Sequence, residues 1–283
     1  MDSNPTDNGA GGIQVLEGVR LAPYTTLGIG GDARYLVEAQ TEEQILEALE
    51  FASGARLPIF VLGGGSNILV SDRGFPGLVI RISLRGIDPP ASETSGRVGA
   101  AAGEDWDRFV EWCVDRGLAG VECMSGIPGT VGATPIQNVG AYGQEVGDVI
   151  VSLRLLDRQA GKVIEMSRAE CEFGYRRSIF NTTQRDRYIV LRVAFVLKVG
   201  GKASLRHGDL ERHFAGRPDP PAVREVRSAV LRIRRGKGMV IDPADPDSRS
   251  VGSFFKNPVI SRDTLSRAEQ AAVRQGCLAP GQK

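Results

Sequence analysis

The sequence predicts a protein of mixed strands and helices, divided into two or three modest domains. Three observations carry this reading. The chain has 283 residues, more than one core of ordinary size needs. Residues 33–83 give strand, helix, strand and strand signals in turn, and 97–199 give a helix, a glycine-rich run and then three strands. The last part carries two helical patterns separated by an acidic, proline-broken loop, DPADPDSRS.

Taken in order, ARYLVEAQ alternates as a strand does. TEEQILEALEFASG follows as a helix: Thr41 caps it, Gln44 completes a capping box, and Ile45, Leu46, Leu49 and Ala52 form its apolar stripe. PIFVLGG and GLVIRIS are short apolar strands. RVGAAAG opens a second unit, in which DWDRFVEWCVDRGLAG is a helix with Phe109, Cys113 and Leu118 towards its buried side. VIVSLRLLD and KVIEMS are strands joined by an RQAG turn, and YIVLRVAFVLKV is one long strand. PAVREVRSAVLRIRRGKG is a helix with Val223, Val226, Val230 and Ile233 at steps of three and four, stopped at Gly236. RDTLSRAEQAAVRQG is a last, short helix, and there is no internal repeat.

Composition narrows the partners. The chain is 41% hydrophobic and 24% charged, ordinary for a soluble protein, with a formal net charge of +1. Nothing here suits nucleic acid or an anionic membrane, so any charged ligand must be met locally. No apolar run approaches the roughly 20 residues of a membrane span. The polar start reads as a short disordered leader, without the basic and apolar regions of a signal peptide. Cys113, Cys123, Cys171 and Cys277 form no CxxC pair and read as reduced thiols of a cytoplasmic protein. His207 and His213 make no metal-ligand set, and no metal is expected.

The 36 glycines, about twice average usage, are clustered without a period. In VLGGGSNILVSD, an apolar strand runs into Gly63, Gly64 and Gly65, then Ser66 and Asn67. This is neither a Walker A loop nor a dinucleotide fingerprint. An anion-binding nest of backbone amides and a plain hairpin turn both fit. SGIPGTVGATPIQNVGAYGQE, Ser125 to Glu145, is too glycine-rich for a helix and too rich in Ile, Val and Pro for disorder. An ordered loop of that length usually binds a ligand. FGYRRSIF sets two arginines among aromatic and apolar residues. A surface salt-bridge pair is the simpler reading; an arginine held to fork onto a carboxylate or phosphate is the alternative.

Together these segments resemble one family, the UDP-N-acetylenolpyruvoylglucosamine reductases of bacterial peptidoglycan precursor synthesis. The resemblance rests on TTLGIGG at 25–31, GGGSNILV at 63–70, SGIPGTVGATPIQNVGAYG at 125–143, FGYRRSIF at 173–180 and GSFFKNP at 252–258, in order and at matching spacing. It implies an α+β chain: a two-subdomain FAD-binding fold of the vanillyl-alcohol-oxidase type, then a C-terminal α+β substrate domain. Expected boundaries are a leader at 1–19, FAD subdomains at 20–86 and 87–199, and the substrate domain at 200–283, which ends before the family's C-terminal glutamate. A monomer is expected.

The resemblance also implies the chemistry. NADPH reduces FAD, and a hydride then passes to the enolpyruvyl ether of UDP-N-acetylglucosamine enolpyruvate, giving UDP-N-acetylmuramate. FAD would be held by Gly63, Gly64, Gly65, Ser66 and Asn67, by Ser125, Gly126, Ile127, Pro128 and Gly129, and by Gly132, Ala133, Thr134, Gln137, Asn138 and Gly140. An enol ether accepts hydride only if its carboxylate takes up the developing charge, so a cation must stand beside it; Arg176 occupies the family's arginine position. Ser253 matches the family's proton donor, polarised by Lys256, Asn257 or a water, with Phe254 and Phe255 packed to aim the turn. Tyr142, His207, Lys237 and Asn257 fall at substrate positions, His207 where relatives often carry tyrosine, which implies an altered pH dependence of binding. Two other readings are an oxidase of the same superfold and a flavin-binding remnant without turnover. Neither histidine lies in the glycine-rich segments, where an oxidase's histidyl-flavin link would need one.

Overall fold

The computed structural model describes residues 12–203, 205–250, 252–253 and 255–279. The described residues divide into two compact units between Gly252 and Ser253.

The first unit begins with strand β1 (Leu16–Arg20), β2 (Asp32–Ala39), helix α1 (Glu42–Gly54), β3 (Ile59–Leu62) and β4 (Phe75–Ile82). Of the leader predicted for 1–19, residues 1–11 lie outside the described residues. Leu16 to Val19 are strand rather than leader, paired antiparallel with β2. The sheet order is β1-β2-β4-β3, with β4 parallel to both neighbours. Central position explains the unbroken buried run Leu78, Val79 and Ile80 in β4. α1 starts where predicted: the Thr41 hydroxyl accepts from the Gln44 amide at 3.2 Å, and Gln44 Oε1 accepts from the Gln40 amide at 2.8 Å. Its Ile45, Ala48 and Ala52 are fully buried.

The chain continues through β5 (Ile87–Asp88), β6 (Arg97–Ala101), α2 (Trp106–Asp115), β7 (Leu118–Ala119), β8 (Gly140–Ala141), β9 (Gln144–Glu145), β10 (Ile150–Asp157), β11 (Lys162–Ser167), β12 (Tyr188–Val196) and β13 (Lys198–Val199). An antiparallel sheet of order β11-β10-β12-β6-β5 results. Asp105 caps α2 through the Arg108 amide at 2.9 Å, and Trp106, Phe109 and Phe195 cluster at centroid distances of 4.9 to 6.3 Å. Two expectations change here. Leu118 is buried from β7, because the helix ends at Asp115 and turns at Gly117. The predicted long strand breaks at Leu197, since β13 leaves β12's sheet to pair with β7. Residues from both sheets share one core, among them Val37, Ile80, Val98 and Phe195. Arg154 on β10 grips Glu42 on α1 through two bonds of 2.9 Å.

α3 (Gly208–His213) and α4 (Val223–Arg235) complete the first unit. α4 buries Val223, Val226, Ala229 and Val230, and its Arg227 makes a two-bonded ion pair with Asp107 of α2, at 2.5 and 3.0 Å. In the second unit, α5 (Arg262–Arg274) is capped by Ser261, whose hydroxyl accepts from the Thr264 amide at 3.2 Å. No helix of the described residues is long and apolar enough to cross a membrane, and no acidic, histidine or cysteine group among them is arranged to hold a metal.

Candidate functional site

Two of the predicted glycine segments meet. After β3, Gly63 to Asn67 turn back towards residues 128–130. Ser66 Oγ donates to the Pro128 carbonyl at 3.0 Å, and Asn67 Nδ2 donates to Gln137 Oε1 at 3.1 Å. A Cβ on Gly64 would stand 2.7 Å from Gly129 Cα, so these backbones touch with no room for a side chain. Gly65 has φ +64°, and a Cβ there would lie 1.9 Å from the Tyr24 carbonyl oxygen. Only glycine fits both that conformation and that contact. Among the described residues, the amides of Gly64, Gly65, Ser66 and Asn67 have no acceptor. Successive unpaired amides in such a turn form a concave donor set for an anion, which is what a dinucleotide's diphosphate requires. The residues present therefore fit FAD. Ile68, Leu69 and Val70, strand-like in sequence, form no strand, and Leu69 is exposed.

The longer run is an ordered loop. Ser125 is buried and donates to the Glu122 carbonyl at 2.7 Å; Thr134 donates to the Val131 carbonyl at 2.8 Å. Both hydroxyls are taken up by nearby backbone. Gly132 rests on Ala102, its amide donating to the Ala102 carbonyl at 2.9 Å. Ile127, Pro128 and Ala133 are half-buried. Gly126 is held at both ends of its chemistry: its amide donates to Asp107 Oδ1 at 2.6 Å, and its carbonyl accepts from Arg234 at 3.2 Å. Its φ is +71°, and a Cβ would meet Leu231 of α4 at 2.8 Å. Buried Asn138 donates to Glu145 at 2.8 Å and to the Gly174 carbonyl at 2.9 Å, and accepts from the Gly147 amide at 2.8 Å. It thereby ties the loop's end to FGYRRSIF.

The two arginines of that segment separate. Arg177 is exposed and reaches Glu172 at 4.0 Å, the surface pair of the simpler reading. Arg176, at φ +52°, turns onto the loop, donating to the Asn138 carbonyl at 3.3 Å and the Gly140 carbonyl at 2.6 Å. Those carbonyls orient the guanidinium while leaving its charge in place.

Tyr142, two residues beyond Gly140, gathers the predicted substrate side chains. The His207 ring meets its ring edge-to-face at 5.0 Å, and Lys237 Nζ stands 6.0 Å from its centroid. Burial pushes the Tyr142 phenol above its ordinary range, with Lys237 and Arg234 opposing. His207 also caps α3, its Nδ1 accepting from the Asp209 amide at 3.2 Å. Ser253 and Asn257 lie in the second unit and are exposed. Phe254 lies outside the described residues, and Phe255, expected to be buried, is 84% exposed.

Sequence reading misses Asp107, Arg227 and Arg234. Arg234 is half-buried, and desolvation lowers its affinity for a proton; its Nε lacks a partner among the described residues. A signal for both arginines exists: Arg227 and Arg234 follow Val223 and Val230 by four residues each, placing them on the stripe that packs inward.

Two sheets on a common core, with a donor-lined glycine turn facing an ordered glycine loop, define a flavin-binding protein. A family model described as an FAD binding domain matches residues 33–167. UDP-N-acetylenolpyruvoylglucosamine reductase from Thermobifida fusca (strain YX) is 46% identical over 256 residues, covering 89% of this chain and 71% of the relative. The crystal structure of a UDP-N-acetylenolpyruvylglucosamine reductase from Thermus caldophilus superposes with a TM-score of 0.61 at 27% identity, covering 91% of this chain and 80% of that one. A solvent-stable cholesterol oxidase shares the fold alone, at TM-score 0.50 and 14% identity over 69% of this chain and 40% of its own. The chain belongs to the UDP-N-acetylenolpyruvoylglucosamine reductase family, whose members are FAD-dependent oxidoreductases.

Proposed function

We propose that this chain reduces UDP-N-acetylglucosamine enolpyruvate to UDP-N-acetylmuramate in peptidoglycan precursor synthesis, with NADPH as reductant. The observation that carries the reading is the convergence of Arg176, Tyr142, His207 and Lys237 at the end of the loop that faces the glycine turn. Gly63 to Asn67 and Ser125 to Gly140 would hold FAD, which supplies the hydride. Arg176 meets the substrate carboxylate and stabilises the negative charge that develops there. Ser253 Oγ would donate the proton to the neighbouring carbon, and Asn257 would bind the substrate. Tyr142 and His207 bind the UDP-sugar, and Lys237 meets a phosphate of the UDP-sugar or of NADPH. Unpaired thiols at Cys113, Cys123, Cys171 and Cys277 suit a reducing, cytoplasmic setting.

The test is anaerobic. NADPH should bleach the flavin absorbance, and the enolpyruvyl UDP-sugar should restore it. In Ser253→Ala, bleaching should persist while restoration slows by about 10²–10⁴-fold, the range of a general acid's contribution. Restoration at the wild-type rate would remove Ser253 from the mechanism. Bleaching without restoration in the wild-type chain would leave a flavoprotein lacking the second half-reaction.

A further inference from the structure

Lys237 is placed by a carboxylate to which no role has been given so far. Asp209 stands in the first turn of α3, and its side chain is only 23% exposed. Its Oδ2 accepts from Lys237 Nζ at 2.9 Å, and its Oδ1 accepts from Arg212 at 2.5 Å. Its own amide donates to His207 Nδ1. One residue thus contacts the lysine directly and fixes the ring that packs on Tyr142. We propose that Asp209 is the positioning residue of this cluster: it holds the Lys237 ammonium beside Tyr142, where a phosphate ester of the ligand is received. The inference rests on the substrate-side placement of Lys237 proposed above.

Charge and geometry support this in three ways. First, Lys237 lies beyond the end of α4, where four rotatable side-chain bonds would otherwise spread its ammonium over many positions; a charge-assisted bond to a fixed carboxylate selects one. Second, the carboxylate does not neutralise the cluster. Asp209 carries one negative charge against the positive charges of Lys237 and Arg212, so a net cation remains for a phosphate. Third, the contact is tuned in both directions: the Asp209 bond raises the proton affinity of Lys237, and Lys237 lowers that of Asp209, so both stay charged at neutral pH. Arg212 is 76% exposed and binds the other carboxylate oxygen, which makes it a neighbour of the contact and a useful control.

The experiment uses the FAD-loaded full chain and the variants Asp209→Asn, Asp209→Glu and Arg212→Ala. Asparagine keeps the shape and the backbone amide that donates to His207, and removes only the charge. Binding of two probes, UDP and 2′,5′-ADP, is followed by the change in flavin absorbance; the first carries a diphosphate and the second the 2′-phosphate of a pyridine nucleotide. Asp209→Asn should weaken one of them about tenfold, the loss of one charge-assisted contact, and the probe affected identifies which phosphate Lys237 serves. KM for the corresponding substrate should rise by a similar factor with kcat within about threefold. Asp209→Glu should recover most of the affinity, and Arg212→Ala should change it less than about twofold. Flavin content should be the same in all four proteins. Separately, with [13Cε]lysine labelling, the Lys237 signal (assigned by its loss in Lys237→Arg) should titrate at lower pH in Asp209→Asn.

Unchanged affinity for both probes in Asp209→Asn, or equal losses in Asp209→Asn and Asp209→Glu with reduced flavin content, would overturn the proposal. Should the wild-type chain bind neither probe, the substrate-side placement of Lys237 fails, while the lysine titration still decides whether Asp209 holds it.

Discussion

Replacing Gly65 with alanine isolates what the glycine turn does. Two terms act. A left-handed conformation costs an L-residue about 1–2 kcal/mol, and Gly65 sits at φ +64°. The new Cβ would also lie 1.9 Å from the Tyr24 carbonyl oxygen, a backbone atom that cannot rotate away, so the 22–26 turn or the donor turn itself must move. Overpacking of this kind adds about 1–3 kcal/mol, for a total of about 2–5 kcal/mol. Gly18 provides the control: its φ is +66°, but nothing lies within 4 Å of the Cβ position, so Gly18→Ala bears only the first term, about 1–2 kcal/mol. Urea unfolding of the two flavin-free variants measures the difference. FAD titration measures the consequence: displaced Gly64 to Asn67 amides should weaken FAD binding at least about tenfold in Gly65→Ala and leave Gly18→Ala like the wild type. Equal stability and wild-type FAD affinity in Gly65→Ala would refute both the strain argument and the assignment of this turn to the cofactor.

Arg227→Ala should lower unfolding free energy by about 2–3 kcal/mol, because it removes a two-bonded, partly buried pair and leaves Asp107 with the Gly126 amide, whereas Arg224→Ala, whose pair with Asp115 is exposed, should cost less than about 1 kcal/mol by the same denaturation assay. Asp157 is held down to about 2 from its ordinary 3.8, chiefly by its bonds to Arg187. A depressed carboxylate stabilises the fold above its unfolded value and loses that contribution as pH falls through its folded one. Asp157→Asn should therefore be less stable than wild type at pH 7, with the gap closing between about pH 4 and 2, as followed by thermal unfolding across pH. Cys277 should react with a thiol reagent under native conditions, while Cys113, Cys123 and Cys171 react only on unfolding; burial pushes the thiols of Cys123 and Cys171 up to about 12 and that of Cys113 higher still.

The periodic elements are legible because their causes are local. Thr41 and Gln44 announce the start of α1, and the valines of α4 announce its inward face. What escapes sequence reading is decided by pairing across the chain. LEGVR resembles a leader until β2 supplies its partner, and Leu197 continues the alternation of β12 although β13 belongs with β7. At the site, residue types point to Gly63 to Asn67, Arg176 and Tyr142, but nothing in the sequence says that Ser66 reaches Pro128 across 62 residues, or that Arg176 rather than Arg177 turns inward. Asp107 and Asp209 are invisible for a related reason: each acts by a bond to a backbone group or a lysine that is remote in sequence.

Gly126 couples two helices through its backbone. Asp107 of α2 holds its N–H and Arg234 of α4 holds its C=O, so two successive amides of the glycine-rich loop are fixed between the helices. α4 also leads directly to Lys237, two residues past its end. Were FAD to lean on Gly126 and a phosphate on Lys237, as proposed above, α4 would connect the two sites, and linkage would require that any factor by which one ligand changes the other's affinity be returned in full.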